Sequence, residues 1–236
     1  MTSDASTQPE QVSDLSSDDP LAASLRGFGP LGIIAILVIL LVGNYPAAPF
    51  GAILVLVWVR WSRTPWREIG YVRPRSWLYT VAAGIVFGVA FKLLMKVIVM
   101  PLLGADPVNH AFHYLAGNRA AIPGAIYVMI VGAGFGEETV FRGFLFERFG
   151  KLLGSGARAK TIIVVITALW FGAAHYSLQG LAGVEQGIIA GLVYGTIFAI
   201  TGRIWMLMVA HAAFDLTALA IIYWDLESTV ARLVFQ

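Results

Sequence analysis

Apolar residues in this chain run in long blocks separated by short polar connectors; they neither alternate with a period of two nor follow a narrow helical stripe. Seven stretches stand out, at about 25 to 44, 46 to 61, 77 to 103, 123 to 146, 161 to 180, 183 to 201 and 204 to 223. A helix rises about 1.5 Å per residue, so blocks of about 20 residues match a hydrocarbon layer about 30 Å thick. Because a membrane β-barrel would show alternation instead, the pattern predicts an all-α, polytopic transmembrane helical bundle of about seven to eight spans. An eighth, weakly apolar or re-entrant segment would have to lie between residues 104 and 123. Residues 66 to 76, with Trp, Tyr and three Arg, are expected along the membrane interface.

Composition strengthens this reading. Of the 236 residues 58% are hydrophobic and 13% charged, and the mean hydropathy is +0.77, too few polar side chains to cover a soluble core. The first 24 residues are the exception: acidic, rich in Ser and Thr, and expected to form a disordered tail ahead of one transmembrane domain at 25–236, whose catalytic core is placed at about 123–223. No basic residue opens the chain, so the first apolar block is read as a retained span and not a secretory signal. Placing the N-terminus in the cytoplasm puts eleven of the 16 Lys and Arg on the inner side, two outside and three within spans, as inward positive bias requires. The 16 cations are spread thinly, which argues against nucleic acid as a partner. No cysteine is present, which excludes thiol nucleophiles, disulfides and Cys-based metal sites.

Ionisable groups inside spans are costly and mark function by default. The fourth block contains Glu137, Glu138 and Arg142; the fifth ends in Phe171 and His175; the seventh contains His211 and Asp215. On a helix Glu138 and Arg142 share a face, as do Phe171 and His175, and His211 and Asp215, whereas Glu137 is rotated by about 100° from Glu138. Glu138 thus has a partner within its own helix and Glu137 has none. A free carboxylate beside two imidazoles and a second acid can activate water in two ways: as a general base, or as part of a divalent metal site. Either route leads to hydrolysis. Neither a Ser-His-Asp arrangement nor G-x-S-x-G is present for covalent catalysis.

The three motifs Glu137-Glu138-x-x-x-Arg142, Phe171-x-x-x-His175 and His211-x-x-x-Asp215, in this order on separate apolar segments, resemble the CAAX-protease and bacteriocin-processing (CPBP, or Abi) family of intramembrane endopeptidases, which includes the type II CAAX prenyl endopeptidases. The resemblance implies that Glu137 with His175 activates the attacking water, that His211 and the residue at 215 stabilise the oxyanion, and that Glu138, Arg142 and Phe171 support the site. Its commonest pattern has Asn where this chain has Asp215, and an ionised Asp cannot donate to an oxyanion. Asp215 is then protonated, or orients His211, or binds a metal. Zinc held by Glu137, His175 and His211 is the cofactor that the donor set would permit, although a metal-free route needs only Glu and His. The implied partner is a membrane-associated peptide or protein, prenylated CAAX-type or otherwise, and the expected location is a bacterial inner membrane. The competing reading is a scaffold or proton-coupled transporter built on the same buried groups, against which the absence of an inverted repeat counts.

Other features have plainer readings. Lys92 and Lys96 are expected to snorkel to the outer interface, or more sharply to receive a substrate carboxylate or backbone carbonyls. His110 and His113 read as solvated loop residues. Trp58, Trp61, Trp66, Trp77 and Trp224 read as interfacial anchors. Gly84 with Gly88, and Gly187, Gly191 and Gly195, are spaced for close helix packing, and Gly132 to Gly136 lacks the strand a phosphate loop would need.

Overall fold

A computed structural model describes residues 19–43 and 48–234, which are predominantly helical and contain no strand. Among the described residues nine helices follow one another: α1 (Pro20–Arg26), α2 (Pro30–Val42), α3 (Ala48–Trp61), α4 (Trp77–Leu102), α5 (Arg119–Leu153), α6 (Ala157–Ala174), α7 (Tyr176–Thr201), α8 (Trp205–Tyr223) and α9 (Glu227–Ala231). Helices α4 to α8 are each long and apolar enough to cross a membrane, and α1 with α2 adds a sixth crossing if the pair, bent by 57°, is one span. The expected seven to eight spans are therefore five or six among the described residues. The shortfall lies in α3, whose 14 residues reach about 21 Å, short of the full hydrocarbon layer. No re-entrant helix occupies 104–118; that loop holds a single 3₁₀ turn, His113–Leu115.

The first boundary also differs from expectation. Residues 1–18 of the expected tail lie outside the described residues, but residues 20–24 are helical. Asp19 accepts backbone hydrogen bonds from Leu21 and Ala22 at 3.0 and 3.2 Å, an N-cap that Pro20 at the first helical position complements. Its carboxylate also pairs with Arg63 at 3.0 Å. The block expected at 25–44 breaks at Gly27-Phe28-Gly29, before Pro30, which cannot continue the preceding helix.

Small residues set the helix contacts. A Cβ on Gly88 would sit 2.1 Å from the Ala210 carbonyl oxygen, and one on Gly84 2.8 Å from Val209. Both rows ascend together, so α4 and α8 run parallel. Helices α6 and α7 run antiparallel: Gly187 abuts Gly172, and a Cβ on Gly191 would stand 2.7 Å from the Ala168 Cα. With lipid as solvent, such backbone approach supplies the dispersion contact that hydrophobicity cannot.

Aromatic and polar contacts close the two ends. At one, Tyr71 packs edge-on to Trp205 at 5.0 Å, donates or accepts a hydrogen bond with Thr139 at 2.8 Å, and lies beside the Ile204 N–H to Gly70 carbonyl bond of 3.1 Å. Burial pushes the Tyr71 phenol up to about 12, against the opposing pull of Thr139. At the other end, the buried Glu227 carboxylate accepts from the Asn109 N–H at 2.8 Å, meets His113 at 3.1 Å and pairs with Lys96 at 3.7 Å, while Lys96 also donates to the Pro107 carbonyl. His113 is thus a tether of the loop and only half-exposed. Trp61, Trp66, Trp77 and Trp224 are exposed, as anchors should be, but Trp58 is buried. Its indole donates to the Leu25 carbonyl at 3.0 Å and its ring lies under Arg148 at 4.4 Å, so it holds α1 instead of marking the interface.

Candidate active site

Three helices deliver the ionisable groups to one place. Gly134 is the device that lets α5 approach α8: a Cβ there would stand 2.8 Å from the Met208 carbonyl oxygen and 3.0 Å from Ala212. These two residues flank His211 in sequence, and Gly134 lies four residues before Glu138. Backbone approach at Gly134 therefore brings the two side chains into register. Through 128–137 and 139–144, α5 is wound more widely, with hydrogen bonds such as Leu145 N–H to Val140 carbonyl reaching back five residues, a winding common at functional sites.

Glu138 is the centre of the buried network. Its Oε1 accepts from Arg142 Nη1 at 2.9 Å and from His211 Nδ1 at 2.8 Å, and both Glu138 and Arg142 are essentially inaccessible. The intrahelical pair expected from spacing is present, but the same oxygen also fixes His211. That contact decides the ring's orientation: Asp215, four residues on, stands 3.7 Å from Nε2, beyond hydrogen-bond range, and is not the group that aligns it. Glu137 approaches Nε2 at 3.8 Å. Arg142 is held on its other side by aromatic faces, 4.6 Å over Phe171 and 5.6 Å over Tyr194.

Phe171 separates the two histidines. Its ring lies edge-on to His175 at 4.7 Å and to His211 at 5.9 Å, and its carbonyl oxygen accepts from His175 Nδ1 at 2.7 Å. With Nδ1 donating, Nε2 of His175 is left as the acceptor nitrogen of the neutral ring. His175 itself ends α6, which stops at Ala174 instead of running on to 180 as the apolar block suggested; Gly180, with φ of 61°, marks the kink in the chain that follows.

Glu137, His175, His211 and Asp215 all line one cavity of about 180 Å³, together with Phe171 and Tyr194. Glu137 Oε2 is buried with no hydrogen-bond partner among the described residues, and such an acceptor calls for a ligand or water. No group of three or more His, Asp or Glu among the described residues is gathered closely enough to hold a metal ion. The set Glu137, His175 and His211 is therefore not assembled as a ligand shell. Tyr194, Gln186 and Lys92 also border the cavity. The sequence offers no signal for Tyr194, an aromatic in an apolar helix, whereas Lys92 is flagged by its charge.

No curated protein and no solved structure matches the chain. Over residues 119–217 the chain matches the model of the family described as Type II CAAX prenyl endopeptidase Rce1-like, a stretch that contains all three motifs and every acidic and histidine side chain of the cavity wall just described.

Proposed function

We propose that this chain is an intramembrane endopeptidase that hydrolyses a peptide bond of a membrane-associated protein or peptide, of which prenylated CAAX-type sequences are one class. The observation that supports it best is the division of labour at His211: Nδ1 is committed to Glu138, so Nε2 faces Glu137 and the cavity. In this reading Glu137 takes a proton from water as the water oxygen attacks the scissile carbonyl carbon. His175, its Nδ1 committed to the Phe171 carbonyl, accepts a second hydrogen bond from that water through Nε2. The negative charge on the carbonyl oxygen is met by the Nε2–H of the charged His211 ring. Glu137 then passes its proton to the departing amine nitrogen. Asp215, as a carboxylate, cannot share the oxyanion and serves to face the His211 cation.

The experiment is cleavage of quenched peptides, prenylated and unprenylated, by purified protein in bilayers. Glu137→Gln keeps the shape of the side chain and removes the base, so turnover should fall by about 10²- to 10⁴-fold with the fold intact. Wild-type activity that persists in chelator agrees with a glutamate-activated water. Loss in chelator with recovery on added zinc would overturn the metal-free route, and turnover unchanged in Glu137→Gln would return the chain to the scaffold or transporter reading.

A further inference from the structure

Among the described residues, Lys92 is the one cation of the cavity wall that the catalytic reading leaves unused. It does not snorkel: on α4 it is only 7% exposed. Its Nζ donates to Gln186 Oε1 at 3.0 Å and lies over the Phe214 ring at 4.6 Å, and no carboxylate stands within 4 Å of it among the described residues. An ammonium has three donors in different directions, and one protein acceptor occupies only one of them. A buried cation held by an amide and an aromatic face is costly unless an anion joins it.

Its position says which anion. Lys92 and Gln186 border the cavity that contains Glu137 and His211, and also a second cavity of about 300 Å³ that opens toward Asp106 and Glu227. The two chambers meet at this pair. Lys96, the other cation of the second chamber, is already engaged by Glu227 and the Pro107 carbonyl. A peptide lying across the junction, with its scissile bond at Glu137, would bring a group a few residues away to Lys92.

We propose that Lys92, with Gln186, is the receptor for a carboxylate of the substrate peptide, and so sets the distance between that carboxylate and the bond that is cut. The proposal rests on the endopeptidase reading for the second half of that statement only; carboxylate binding stands without turnover. The carboxylate can come from the peptide's free C-terminus or from an Asp or Glu side chain.

The test compares one peptide as its free acid, as its C-terminal amide, and as an amide with Glu near its end, using wild type, Lys92→Gln and Lys96→Gln in bilayers. Both binding, by fluorescence anisotropy on the Glu137→Gln background, and cleavage are read. Acid-to-amide ratios are taken within one preparation, so a variant that folds incompletely loses signal without moving its ratio. Wild type should prefer the acid by about ten- to hundredfold, the span of one charge-assisted hydrogen bond. Lys92→Gln should bring the ratio near one, and Lys96→Gln should leave it. A preference restored by the internal Glu identifies a side-chain carboxylate as acceptable; one seen with the free acid alone identifies the C-terminus. Equal handling of acid and amide by wild type, or the same preference in Lys92→Gln, overturns the proposal. Binding preference without cleavage would sink the endopeptidase reading and leave the Lys92 assignment intact.

Discussion

Replacing Arg142 by Met removes the guanidinium from a site where nothing can substitute for it. Arg142 is 2% exposed and Glu138 fully buried. The carboxylate would keep its 2.8 Å bond to His211 but lose the 2.9 Å bond to Nη1 and the permanent charge behind it. Breaking a buried pair from one side costs about 3–5 kcal/mol, because the remaining charge is stranded. The two aromatic faces over which Arg142 lies add about 1 kcal/mol or more. Domains are stable by only about 5–15 kcal/mol, so the variant should approach the limit of folding. Glu138→Gln strands the arginine instead and should cost a similar amount. Arg142→Met combined with Glu138→Gln removes both charges, and the double variant should be more stable than the sum of the single losses by at least about 2 kcal/mol. Equilibrium unfolding in mixed micelles, followed by tryptophan fluorescence, reads all four proteins. Additivity within about 0.5 kcal/mol, or an Arg142→Met variant as stable as wild type, would refute the reasoning.

Gly88→Ala should destabilise by about 1–3 kcal/mol, since its Cβ would lie 2.1 Å from the Ala210 carbonyl oxygen and must force α4 from α8; an unchanged thermal midpoint would show that the helices can part freely. Tyr71, held near 12 in the folded protein, keeps its proton while the unfolded chain loses one. The stability it contributes is complete below about pH 10 and is lost as pH rises toward about 12, on the order of 2 kcal/mol in all. Tyr71→Phe should flatten that alkaline limb of the unfolding midpoint, and a limb of unchanged slope would contradict the assignment.

The residues that gather around the cavity were more legible in the sequence than their geometry. The spacing of Glu138 and Arg142 foretold their bond because four residues on a helix are neighbours whatever the tertiary fold. The same rule, applied to His211 and Asp215, makes them neighbours but not hydrogen-bonded, at 3.7 Å. The ring turns to Glu138, 73 residues away in sequence, because Gly134 lets α5 approach α8 more closely than either sequence alone could indicate. Wide winding through 128–144 is likewise invisible to a 100° rule. Lys92 shows the complementary gap: its charge drew notice, but whether a long side chain reaches outward or stays inside depends on Gln186 and Phe214, which belong to other helices.

The shortness of α3 has a consequence for the lipid around the protein. A helix of about 21 Å cannot match a layer of about 30 Å, and such hydrophobic mismatch is relieved by thinning the bilayer beside it. Pro49, near the start of α3, and Gly43, just beyond α2, both border the cavity that contains Glu137. The membrane would therefore be thinnest beside that cavity, which under the endopeptidase proposal brings water and a buried peptide bond together at lower cost than in an undistorted layer. Turnover should accordingly depend on acyl-chain length, falling in thick bilayers; a rate indifferent to thickness would show that the lipid takes no part.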